Sequence, residues 1–101
     1  MSKFVLAPSA ISDIAEVWEY YADEIGDPDL ADRMRDEIFA GIRKAARTPD
    51  LGHYRRDLAD EPVRFWRVRK FLIIYRSEVR PIEIARVLHG NRDVETILHD
   101  G

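Results

Sequence analysis

The sequence has no cysteine, which excludes disulfides and cysteine-ligated zinc. Histidine is scarce, and the three present, His53, His89 and His99, lack the spacing of a metal site. No glycine-rich phosphate loop follows a strand-like run, no Ser-His-Asp or Cys-His set stands out, and no carboxylate pair rises above an acid-rich helical background. Long apolar runs are missing too. The longest uncharged one, FLIIY at 71–75, is far shorter than the roughly 20 residues of a membrane span. The run FVLA near the N-terminus is too short for the apolar region of a secretory signal. These absences predict a cytoplasmic protein with no membrane contact, no metal and no cofactor.

What is present fits one globular domain, residues 1–101. A chain of this length buries roughly 60 to 70% of the surface its unfolded form exposes, enough for a single core. Hydrophobic residues make up 46% and charged residues 35%, too apolar a mixture for disorder. The net charge of −3 is unevenly divided. Residues 1–51 hold 6 basic and 11 acidic side chains (6 − 11 = −5), whereas residues 52–101 hold 10 and 8 (10 − 8 = +2). Nine of those ten basic residues are arginine, which suits bidentate contact with phosphate or carboxylate. An acidic whole nevertheless weighs against tight non-specific binding to nucleic acid, which depends on neutralising many phosphates.

The hydrophobic pattern predicts the order β-α-α-β-β-β, with a further short helix at the end. KFVLA (3–7) reads as a strand ended by Pro8. Ser9 is then the expected cap of a helix over 9–25, with Ile11, Ile14, Ala15, Trp18, Ala22 and Ile25 forming its apolar stripe. Gly26 stops that helix, and Asp27-Pro28 opens a second over 28–47, with Ala31, Met34, Ile38, Ile42 and Ala45 inward and Thr48-Pro49 closing it. So short a connection favours an antiparallel helical hairpin. Periodicity vanishes over 50–62, which reads as a loop. VRFWRVR (63–69), FLIIYRS (71–77) and IEIARVL (82–88) then alternate as strands of a meander, FLIIY belonging in mid-sheet. Asn91 is placed to cap a terminal helix with Val94, Ile97 and Leu98 inward. The fold class is α+β: a helical hairpin packed on a mostly antiparallel, curved sheet.

Two features bear on chemistry. The first is the set of basic residues on the meander, Arg64, Arg67, Arg69, Arg76, Arg86 and Arg92, with His53, His89, Tyr54 and Tyr75 among them. Either this is a phosphate-facing sheet, where arginine stabilises a transition state and histidine moves a proton, or it is a solvated face paired to Asp and Glu. The second is helix one, where Val17, Tyr20 and Tyr21 widen the apolar arc beyond what one sheet needs. That extra arc either receives a partner segment or packs its rings against the neighbouring helix.

Over nearly its whole length, through AISDIAEVWEYYAD, RTPDLG, VRFWRVRKFLIIYR and most specifically IIYR (73–76) and RVLHGNRD (86–93), the chain resembles the RelE/ParE superfamily of type II toxins, and within it the ParE-like branch. The resemblance implies a growth-inhibiting toxin, encoded beside a ParD-like antitoxin whose C-terminal segment wraps and silences it, with operator DNA contacted only through that antitoxin. The ParE branch is associated with poisoning DNA gyrase and implies no catalysis. The RelE branch cleaves ribosome-bound mRNA without a metal, and on that alternative Arg64, Arg76, Arg86 and His89 are the candidate catalytic residues. The basic half holds a single lysine, Lys70, and Gly90 stands where some ribonucleases of the superfamily carry a tyrosine after the histidine, so the residues favour ParE. Expected target-binding residues are Arg86, His89 and Arg92; expected antitoxin-binding residues are Val17, Trp18, Tyr20 and Tyr21. A third reading is a degenerate toxin that only binds its antitoxin and takes part in autoregulation.

Overall fold

Proline and glycine set the helix boundaries. In the computed structural model, which describes residues 3–90, α1 is Pro8–Glu19. Pro8 is its first residue, where a missing N–H costs nothing and the fixed φ is already helical. Ala7 precedes it in extended conformation with no side-chain cap, so the expected cap at Ser9 is replaced by proline one residue earlier. Helical winding continues to about residue 25, but not uniformly. Tyr20–Glu24 forms one turn of π-helix, and the Ile25 N–H donates to the Tyr20 carbonyl at 3.0 Å. Gly26, at φ +80°, then ends the segment in the left-handed conformation that glycine tolerates best. Asp27 caps α2 (Pro28–Arg47) by accepting the Leu30 N–H at 3.1 Å. Lys44 and Arg47 sit in its last turn, where the helix dipole favours cations.

The sheet has five strands in the order β1-β5-β4-β3-β2: β1 Phe4–Leu6, β2 His53–Tyr54, β3 Arg64–Val68, β4 Phe71–Arg76 and β5 Ile82–His89. β1 runs parallel to β5 and every other pairing is antiparallel. β4, which carries FLIIY, is central as expected. The loop expected over 50–62 contains β2, a two-residue strand on the edge of β3. His53 and Tyr54 are both exposed there, so no apolar alternation marked them in the sequence. The helix expected from Asn91 onward lies outside the described residues.

Both helices cover one sheet face. Ile38, Ile42, Ile73, Ile84, Phe71 and Tyr75 are fully buried between the layers, each apolar side chain contributing about 1.5 to 3 kcal/mol. Gly41 is the point of closest approach: a Cβ there would press on both methyls of Val68. Phe65 turns to the opposite face, where Ala59, Val63, Ile74 and Leu88 form a smaller core under the segment that follows β2.

The stripe expected on α1 is corrected. Ala10, Asp13, Ile14, Val17 and Tyr21 face inward, while Ile11 and Ile25 are 54% and 51% exposed and Ala15 is exposed as well. At 3.6 residues per turn, the buried face is rotated by roughly 90° from the expected one. The rotation has an identifiable cause, an aspartate that is buried because the sheet edge requires it.

Candidate functional site

β1 pairs only with Ile82–Ile84, so the edge of β5 beyond that point has no neighbouring strand. Asp13 closes it. Its Oδ2 accepts the Val87 N–H at 2.9 Å and Arg86 Nε at 2.8 Å, and its Oδ1 accepts Arg86 Nη2 at 3.0 Å. One carboxylate thus satisfies both a buried backbone donor and a guanidinium, in the forked geometry that arginine and carboxylate share. The hydrogen bonds that Arg86 donates to the Asp13 carboxylate hold the Arg86 pKa above its ordinary value.

Arg64 is bound as completely. Its Nε donates to Ser77 Oγ at 2.8 Å, Nη1 to the Gly52 carbonyl at 2.8 Å and Nη2 to Asp50 Oδ1 at 3.2 Å, with the guanidinium 4.3 Å above the Tyr54 ring. The neighbouring loop is fixed from below by Tyr75, whose hydroxyl donates to the Pro49 carbonyl and accepts the Gly52 N–H. Arg76 lies between Glu61, at 2.8 Å, and Glu83, at 3.4 Å. The expected catalytic arginines are therefore each held by the protein's own acceptors, and they do not converge on His89. Arg76 sits opposite Glu83 while His89 sits opposite Phe71. Those positions on β4 are five residues apart, about 17 Å along the strand at about 3.4 Å per residue.

Of the residues expected to contact the target, Arg86 has its guanidinium held by Asp13. Arg92 lies outside the described residues. His89 is in a different setting. Its ring stacks on Phe71 with centroids 5.1 Å apart, its Nε2 lies 3.2 Å from the Tyr21 hydroxyl, and Tyr20 meets it edge-on. It lines a cleft of about 680 Å³ between the π-turn of the first helix and the β3–β4 hairpin, together with Ile25, Leu30, Arg67 and Lys70. Among the described residues, neither Arg67 nor Lys70 has a carboxylate partner. Gly90 adjoins the Arg67 guanidinium so closely that a Cβ there would make that flexible side chain shift. Its N–H is fixed by the Lys70 carbonyl at 2.8 Å.

Sequence reasoning noted Lys70 only as the single lysine of the basic half, assigned Ile25 to the apolar stripe of the first helix and did not name Leu30. The signal was available in the register, because Lys70 precedes Phe71 and Phe71 pairs with His89. Of the residues expected to meet an antitoxin, Val17 and Tyr21 are buried in the core and Tyr21 packs against His89. Trp18 is half-buried and donates its indole N–H to Asp32 on α2 at 2.9 Å, whereas Tyr20 is 45% exposed at the cleft. Among the described residues no cluster of His, Asp or Glu is arranged to hold a metal ion, and no helix is long and apolar enough to cross a membrane.

A helical hairpin laid on one face of a sheet whose first and last strands run parallel defines the class, a small α+β domain. A solved structure described as the chromosomal ParDE TA system from P. aeruginosa shares this fold, with a TM-score of 0.73 at 20% identity, covering 88% of this chain and 96% of that one. No curated protein matches the sequence. The family described as ParE toxin of type II toxin-antitoxin system, parDE, matches residues 4–94. The chain belongs to that family.

Proposed function

We propose that this ParE toxin inhibits DNA gyrase in the cytoplasm, acts by binding rather than catalysis, and is silenced by a ParD-like antitoxin through which alone it meets operator DNA. The observation that carries the non-catalytic reading is the commitment of Arg64, Arg76 and Arg86 to internal partners. Metal-free RNA cleavage needs a proton-transfer group and a cation within about 3 Å of the same reacting atoms. Here the candidate arginines are spread along the sheet and already bonded. The exposed flank of α1, with Ile11, Ala15 and Trp18 at helical spacing, suits an antitoxin segment better than the buried Val17 and Tyr21 do.

Purified protein added to gyrase and relaxed plasmid tests the reading. Inhibition of supercoiling, with intact mRNA on programmed ribosomes, is the expected result. Cleaved ribosome-bound mRNA with unaffected supercoiling would refute it.

A further inference from the structure

We infer that the cleft between the π-turn and the β3–β4 hairpin is a docking site for a short protein segment that carries a carboxylate beside a large apolar side chain. Arg67 and Lys70 form a cationic wall without carboxylate partners among the described residues, in a protein whose other well-placed arginines are paired. Opposite them stand apolar groups, the exposed Tyr20 and Ile25 and the half-buried Leu30. An apolar wall facing cations that have no carboxylate partner among the described residues is complementary to a side chain such as leucine or phenylalanine next to glutamate or aspartate, with the apolar group desolvated and the carboxylate on the guanidinium.

A volume of about 680 Å³ accommodates two or three side chains rather than a solvated ion. Charge around the rim distinguishes a peptide from a nucleic acid. Asp23 and Glu24 in the π-turn and Asp27 and Asp29 beyond it are exposed beside the apolar wall. An extended polyanion leaving the cleft on that side meets like charge. A segment with one or two acids and neutral flanks does not.

The inference rests on the reading that the chain works through protein partners, and its test separates the two. Full-length, isotope-labelled protein is titrated with three probes and followed by NMR: a hexapeptide holding leucine and phenylalanine between glutamates, the same peptide with glutamine for glutamate, and a uridine hexanucleotide. The glutamate peptide is expected to bind at the cleft about tenfold more tightly than its glutamine counterpart, a difference of about 1.4 kcal/mol. That preference is expected to vanish in Lys70→Glu and in Arg67→Gln, and to persist in Arg43→Glu, a charge change on the far side of α2. Lys70 lies in an exposed turn, so its variant retains the fold even if the Arg67 variant does not. Equal binding of the two peptides, no shift at the cleft, or tighter binding of the hexanucleotide would overturn the inference. Peptide discrimination in a protein that leaves gyrase untouched would instead overturn only the gyrase reading.

Discussion

Arginine is used in opposite ways at two places on this sheet. Arg86 and Arg64 are structural: one ties the open edge of β5 to α1 through Asp13, and the other ties β3 to the loop before β2 through Asp50 and Gly52 and to the end of β4 through Ser77. Arg67, on the same β3 strand as Arg64, stands without a carboxylate partner among the described residues, in a cleft with Lys70 and His89. The residue type is the same and only the acceptors differ. A run of basic residues on a sheet therefore does not make a site; what decides is whether the fold brings its own carboxylates and carbonyls to each one.

The comparison can be broken most severely at Asp13. Asp13→Ala leaves a largely buried guanidinium and the Val87 N–H without their acceptor. Removing one partner of a buried pair costs about 3 to 5 kcal/mol; because the Arg86 side chain keeps 24% of its exposure, we expect a value near the lower end. Urea unfolding measures it, and a loss below about 1 kcal/mol would mean that the edge is closed by something else. Arg64→Ala removes four hydrogen bonds and the ring contact with Tyr54, and should cost about 2 kcal/mol in the same assay.

Tyr75→Phe tests the loop that Arg64 holds. Losing the hydroxyl leaves the Gly52 N–H and the Pro49 carbonyl unmatched, for about 1 to 2 kcal/mol. Burial raises the Tyr75 phenol above its ordinary 10.0. A raised folded pKa contributes stability that is complete below the unfolded value and lost as pH rises through the folded one. Thermal melts should therefore show an alkaline loss of stability beginning near pH 10, smaller in Tyr75→Phe. At the other extreme, Lys70→Ala should change stability by no more than about 0.5 kcal/mol, since no carboxylate among the described residues depends on it. A large loss there would erase the distinction between tied and offered cations.

Most of the architecture was legible in the sequence. The two helices, four of the five strands and the central place of FLIIY follow from apolar period, from proline at helix starts and from Gly26 at a helix end. Three features were not legible. β2 is two exposed residues whose pairing is set by β3, so it carries no pattern. The π-turn falls on Tyr20–Glu24, where no proline or glycine marks a break in the helix. The rotation of α1 is tertiary in origin: local amphipathicity favours Ile11, Ala15 and Ile25 inside, but the unpaired edge of β5 needs a carboxylate, and burying Asp13 brings Val17 and Tyr21 in with it. The site was legible by composition only. Arg64, Arg67, Arg76 and Arg86 look alike in sequence, and the partners of Arg64, Arg76 and Arg86, namely Asp50, Glu61, Glu83 and Asp13, lie 7 to 73 residues away.

The contrast between tied and offered arginines is tested most directly by arginine Nε–H resonances in the labelled protein near neutral pH. Arg86 Nε–H, bonded to Asp13, and Arg64 Nε–H, bonded to Ser77, should give resolved signals that exchange slowly with water, whereas that of Arg67 should exchange fast. A slowly exchanging Arg67 Nε–H together with fast exchange at Arg86 would contradict the account.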